Sequence, residues 1–261
     1  MATREDVMAV GRAMRATLGL SAPAALDAVP GLEEHSTEAI FGAIWARPGL
    51  GLRERMLATL SALSSLQRLE QLRRYVGAAL TIGLAPEEVE EVLVHCSVHA
   101  GMPTAAGSLR VAHEVFAERG VEAAPRSAAK RTLAEAEAEG ESFRSELLGG
   151  SAPPPPYLVA AAELQPELRT WTLRYAFGGI FQRPGLDVRS RVICSIASLA
   201  SLGQEAQLAS FVRGAAGVGI TRGEMGELLL QVGPYAGMPA SANAITVAAR
   251  ELGAGDTEHT S

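Results

Sequence analysis

Three residues able to move a proton, Glu91, His95 and His99, follow one another at intervals of four in PEEVEEVLVHCSVHA (86–100). On a helix that spacing sets them in one strip, beside an apolar stripe of Val89, Val92, Leu93 and Cys96. An acid–base column against a hydrophobic wall suits proton transfer, because imidazole titrates near neutrality and a neighbouring carboxylate fixes its tautomer and raises its pKa. The alternative for both histidines is a satisfied place in a core or an interface. A His-x3-His pair also matches two metal ligands. No third ligand stands nearby, and spacing does not place His35 or His113, so no metal is expected. Cys96 and Cys194 form no CxxC and read as small core residues.

The elements that must hold this strip emerge when the chain is compared with itself. FGAIWARPGL (41–50) returns as FGGIFQRPGL (177–186), and the offset of 136 residues then holds without a gap. Arg53 and Arg55 meet Arg189 and Arg191, Glu88 and Glu91 meet Glu224 and Glu227, and AGMP at 100–103 meets AGMP at 236–239. Upstream, GRAMRATLGLSAP (11–23) matches GESFRSELLGGSAP (140–153) at a slightly smaller offset. Two repeats follow, 1–122 and 130–255, joined by a linker around GVEAAPRSA. The PPPP run (153–156) falls between the first two helices of repeat two, and GAGDTEHTS is a frayed tail.

Strand signals are scarce and the helical period is visible wherever it can be tested. In 53–66, Met56, Leu57, Leu60, Leu63 and Leu66 make an apolar stripe with Arg55 and Thr59 at its border. Gly83 and Gly219 are helix stops, Pro86-Glu87-Glu88 and the Thr221–Glu224 capping box are helix starts, and AGMP breaks the chain before a last helix. The expectation is an all-α fold of six or seven helices per repeat, with the repeats packed as a pseudo-dimer. Such symmetry extends naturally to a homo-oligomer, a trimer or dimer of the whole chain. With 48% hydrophobic and 20% charged residues the chain is globular, and a net charge of −6 leaves no basic surplus for nucleic acid. Neither a signal peptide nor a membrane-length apolar run is visible, so a cytoplasmic protein with a small-molecule partner and no membrane is expected.

The order FGxxWxRPGL, RxRxLxTLxAL, a QL-containing helix ending in Gly, then PEExxEVLxHxxxxAGMP resembles the carboxymuconolactone decarboxylase family, which also includes the alkylhydroperoxidase D-like thiol enzymes. The likeness runs through both repeats. It implies an all-helical oligomer with active sites near repeat or subunit interfaces. The thiol branch's Glu, CxxC pair and His fall on Met56, Arg68, Gln71 and Tyr75, and in repeat two on Val192, Gln204, Gln207 and Phe211, so peroxidase chemistry is not expected. The decarboxylase branch typically has His at Tyr75 and Phe211, and HxxxYAGxP where this chain reads His95 to Pro103 and Gln231 to Pro239.

The resemblance implies decarboxylation without a cofactor, since a conjugated lactone accepts the electrons as carbon dioxide leaves. In that scheme Arg55 orients the carboxylate, His95 supported by Glu91 supplies the proton, and Tyr75 or His99 polarises the lactone carbonyl. Trp45, Met102 and Glu70 complete the substrate-binding set. Repeat two carries Ala206, Phe211, Gln231 and Tyr235 where repeat one has Glu70, Tyr75, His95 and His99, so the chemistry is expected in repeat one with repeat two lending a pocket wall. Arg47 and Arg183 of RPGL are read as structural. For Arg55 and Arg191, a carboxylate clamp and pairing with glutamates remain open. The expected function is a cofactor-independent lyase or isomerase for a carboxylated lactone or polyketide-like ring, in aromatic catabolism or secondary metabolism. The alternative is a catalytically silent binding or assembly protein that keeps the fold.

Overall fold

A computed structural model describes residues 3–127, 129–148 and 156–253, and every regular element among them is helical. The first half runs α1 (Arg4–Leu18), α2 (Ala24–Asp27), α3 (Leu32–Ser36), a π-helical segment Thr37–Trp45, α4 (Leu52–Ser65), α5 (Leu69–Thr81), α6 (Pro86–Ala100) and α7 (Met102–Arg119). The second runs α8 (Leu133–Leu148), α9 (Pro156–Leu164), α10 (Glu167–Trp171), a π-helical segment Thr172–Phe177, a 3-10 turn Ile180–Gln182, α11 (Val188–Leu202), α12 (Glu205–Gly214) with a 3-10 turn Ala215–Val218, α13 (Arg222–Ala236) and α14 (Met238–Gly253). Residues 153–155 of the proline run, Ala128 of the linker and the tail from Ala254 lie outside the described residues. No helix among the described residues is long and apolar enough to cross a membrane.

Local chemistry sets the ends of the elements that matter. Pro86 opens α6 where a missing N–H costs nothing, and Thr221 with Glu224 closes a reciprocal capping box on α13. Gly83 and Gly219 take φ of +93° and +75°, the left-handed conformation that ends the preceding segments. Gly101 and Gly237, at +91° and +100°, turn the chain between α6 and α7 and between α13 and α14.

The two halves pack reciprocally. α4 lies against α11, while α6 of the first half lies on α11 and α13 of the second lies on α4. The expected stripe on α4, with Arg55 and Thr59 at its border, gives way to a helix enclosed on all sides: Arg55 to Ser65 are all buried, as are Ser190 to Ser201 of α11. The reason is position, since α4 meets α5, α6, α11 and α13 together. Both cysteines are fully buried free thiols.

In each half the first helix crosses the π-helical segment through paired glycines. A Cβ on Gly11 would collide with the Thr37 carbonyl oxygen, and one on Gly42 with the Val7 carbonyl oxygen. Gly140 and Gly178 repeat the crossing against the carbonyls of Leu173 and Ala136. Gly42→Ala should therefore destabilise the protein by about 1–3 kcal/mol, through forced displacement of packed backbone. Gly226→Ala on α13, where an added Cβ meets nothing within 4 Å, should stabilise by about 0.4–1 kcal/mol. Denaturant unfolding of both variants checks this; equal effects would contradict the crossing argument.

Candidate active site

Reciprocal packing places the polar strip of α6 against the second half rather than its own. Glu91 is fully buried and receives Arg183 as a fork: Nη2 donates to Oε1 at 2.7 Å and Nε to Oε2 at 3.0 Å. Arg191 Nη2 donates to Oε2 at 3.2 Å and to the Arg183 carbonyl at 2.7 Å, and Arg126 of the linker brings Nε to 3.5 Å from Oε1. One turn on, His95 Nε2 lies 2.8 Å from Ser195 Oγ on α11; another turn on, His99 Nε2 lies 2.9 Å from the same oxygen. Phe181 meets the His95 ring edge-on at 4.6 Å, Phe211 meets His99 likewise at 5.7 Å, and the two phenylalanines stack at 6.2 Å. His95 and Ser195 are fully buried, while His99 is half-buried at the outer end of the column.

The opposite site repeats the frame with other chemistry. Arg47 forks Glu227, Arg55 Nη2 donates to Glu227 at 2.8 Å and to the Arg47 carbonyl at 3.0 Å, and Arg55 Nη1 donates to Gln231 Oε1 at 3.1 Å. Gln231 Nε2 donates to Thr59 Oγ1 at 3.1 Å, in the place of the His95–Ser195 contact. Trp45 Nε1–H donates to Tyr235 at 2.7 Å, and Tyr235 O–H donates to Tyr75 at 2.7 Å. Trp45 and Tyr75 stack at 6.0 Å, as Phe181 and Phe211 do in the first site.

The structure therefore divides the expected residue set. Glu91, His95 and His99 stay together, whereas Tyr75, Arg55 and Trp45 belong to the other site, where they bond to Tyr235 and Gln231 of α13. Arg55 is committed to Glu227 and Gln231, so pairing rather than substrate clamping is what its geometry shows. Glu91 does not touch His95; its carboxylate is taken up by arginines, which removes the expected support for an imidazolium. Glu70 is exposed in the first turn of α5 and Met102, 65% exposed, opens α7 past the Gly101 turn; neither is among the residues hydrogen-bonded or stacked in the two sites. Sequence reasoning misses Ser195. Its signal is the hydroxyl retained by both halves, Thr59 matching Ser195, on a helix otherwise rich in apolar residues. No group of three or more His, Cys, Asp or Glu side chains gathers as a metal site among the described residues.

Burial decides the protonation states. It pushes His99 down to about 4 and holds His95 well below its ordinary value, with His99 and Arg191 adding repulsion and the Arg191 backbone opposing. Both rings are neutral at pH 7, able to accept a proton, and the expected upward shift of His95 is not found. On the other side burial raises Tyr75 to about 12 and Tyr235 well above its ordinary value, so both phenols keep their protons. A histidine whose native pKa is depressed contributes stability above its unfolded pKa near 6.5, and this is lost as the pH falls toward the native value. Stability of the native chain should thus decline from about pH 7 to about pH 4. His99→Gln should flatten that decline in denaturant unfolding at several pH values; an unchanged pH slope would contradict the assignment.

A model described as the carboxymuconolactone decarboxylase family matches residues 30–114 and again 166–250, in step with the internal repeat. Among curated relatives, 4-carboxymuconolactone decarboxylase of Acinetobacter baylyi is 36% identical over 81 residues, 31% of this chain and 60% of that protein. An uncharacterized 15.0 kDa protein of Paracoccus denitrificans is 33% identical over 91 residues, 34% of this chain and 68% of its own length. Nitrosuccinic acid decarboxylase of Metarhizium robertsii is 31% identical over 72 residues, 28% of this chain and 50% of that protein. The chain thus spans 60% of the length of the first relative and 50% of the last. With two matched spans that take in both composite sites and the helices holding them, the chain belongs to the carboxymuconolactone decarboxylase family.

Proposed function

We propose that the protein is a lyase of the decarboxylase type, working without a cofactor at the composite site of His95 and His99 with Ser195, Phe181 and Phe211. The observation that carries this reading is the convergence of two neutral imidazole Nε2 atoms on one buried hydroxyl, at 2.8 and 2.9 Å, against an aromatic wall. Among the described residues the opposite site places Gln231, Tyr235, Tyr75 and Thr59 where this one has its histidines and serine, and none of those four titrates near neutrality.

The compounds for which the two decarboxylase relatives are named share one chemical property. When carbon dioxide leaves, a conjugated lactone or a nitro group accepts the electron pair, and a proton must then reach carbon. A dry pocket disfavours the carboxylate relative to the delocalised product, which is what an aromatic wall supplies. The imidazoles serve the proton traffic, and a small carboxylated molecule is the partner this reading requires. It also covers isomerisation of an enolisable ring, which needs the same proton traffic.

A second reading, a binding or assembly protein without turnover, draws on a different observation. The polar groups of both sites are largely bonded to one another, and two surface concavities lie elsewhere, one lined by Glu90, His113, Phe116 and Val121, the other by Leu199, Gln204, Leu208 and Asn243. Release of carbon dioxide from 4-carboxymuconolactone and from nitrosuccinate by the full chain separates the two readings. Turnover is expected with at least one, and His95→Gln should cost about 10²–10⁴ in rate, the usual worth of general acid–base catalysis. Tyr235→Phe should stay near the unsubstituted rate. A larger loss in Tyr235→Phe would move the chemistry to the opposite site, and no release from either compound would favour the silent protein.

A further inference from the structure

The hydroxyl shared by the two histidines constrains where every proton in the site can sit. Ser195 Oγ has His95 Nε2 and His99 Nε2 as its side-chain partners among the described residues. A hydroxyl brings one proton, and each neutral imidazole brings one N–H, carried on either nitrogen. If both rings donated to Oγ, the buried serine proton would have no acceptor; if neither did, the one serine proton would have to serve two lone pairs. All three groups are satisfied in one pattern only: one ring donates Nε2–H to Oγ, and Oγ donates its proton to Nε2 of the other. It follows that one Nδ1 is bare and the other carries a proton. Neither Nδ1 has a side-chain hydrogen-bond partner among the described residues; that of His95 is fully buried, and the backbone of Arg191 is the group that favours a proton on that ring.

We propose that Ser195 is a positioning residue that locks His95 and His99 in opposite tautomers, so that the pair passes a proton from one Nδ1 to the other without becoming charged. The steps balance as follows. A proton leaving the substrate bonds to the bare Nδ1, and the same ring gives up its Nε2–H to Ser195 Oγ. Oγ releases its original proton to Nε2 of the second ring, which returns its Nδ1–H to a different substrate atom. All three side chains end neutral with their tautomers exchanged, and no oxidant, reductant or metal takes part.

This answers a difficulty that burial creates, because an imidazolium beside Arg191 and a glutamate already neutralised by arginines is disfavoured. Resting on the decarboxylase or isomerase reading, the relay names a substrate class: a molecule that gives up a proton at one atom and takes one back at another. A carboxylic acid that enters protonated, loses carbon dioxide and is protonated on carbon fits. An enolisable ring fits equally.

The lock is tested without any substrate, so its outcome is independent of the carbon dioxide assay. The full chain labelled with ¹⁵N in the histidine rings is observed by NMR at neutral pH, with His95→Gln and His99→Gln assigning two of its five histidines. One of the two rings should be protonated at Nε2 and the other at Nδ1. Ser195→Thr should keep that pattern, since Thr59 already holds the matched place in the other half. Ser195→Ala, with its folding checked by thermal unfolding, should abolish it, at least one ring changing or averaging its tautomer. The same tautomer on both rings of the unsubstituted chain overturns the proposal whether or not Ser195→Ala folds. An opposite-tautomer pattern that survives Ser195→Ala overturns it as well.

Discussion

A carboxylate with no exposed surface, Glu91, lies between arginines that all come from beyond its own repeat, and the site is organised around that fact. Removing such a group from water costs several kcal/mol, which only close opposite charges and hydrogen bonds offset. Arg183 and Arg191 supply both, and Arg126 of the linker adds a third guanidinium. Glu227 is held in the same way by Arg47 and Arg55, with 13% of its side chain exposed; burial opposes its charge, yet the two arginines keep its carboxyl below the usual range. Neither half satisfies its own glutamate. A buried ion pair is weak support for net stability, but it is costly to separate, so the two clamps fix the register between the halves.

That register brings His95 and His99 to Ser195, and the difference between the two sites then follows from a few substitutions within one frame. Where one site has histidines against phenylalanines, the other has Gln231 and Tyr235 against Tyr75 and Trp45. The second set forms a one-way chain of donors, from the Trp45 N–H through Tyr235 to Tyr75, with phenols that burial keeps protonated. Such a chain holds aromatic rings in place and offers no base near neutrality. The first set keeps its bases but denies them charge, because the same burial that excludes water lowers both imidazoles.

Much of this is legible in the sequence. The 136-residue offset gives the repeat, and helical periodicity with Gly83, Gly219, Pro86 and Thr221 gives the all-α class and several of its boundaries. The matching of Gly11 with Gly140 also has a physical cause, the same close helix crossing in each half. What cannot be read is which half faces which. Aligning a repeat with itself puts Tyr75 and His95 in one unit, whereas a reciprocal interface hands each residue to the neighbour, and no spacing along the chain encodes that exchange. The clue is the joint retention of Arg47 with Glu91 and of their counterparts Arg183 with Glu227: charges kept by both halves are candidates for crossed pairing.

The account stands on the clamp between halves, and a double-mutant cycle on Glu91 and Arg183 measures it most directly. Glu91→Leu, Arg183→Leu and the double variant would be compared with the unsubstituted chain by denaturant unfolding. A coupling energy of at least about 1 kcal/mol is predicted, within the range for residues that share one buried network. Additivity within about 0.5 kcal/mol, as for sites without shared partners, would contradict the claim that the two halves build the site together.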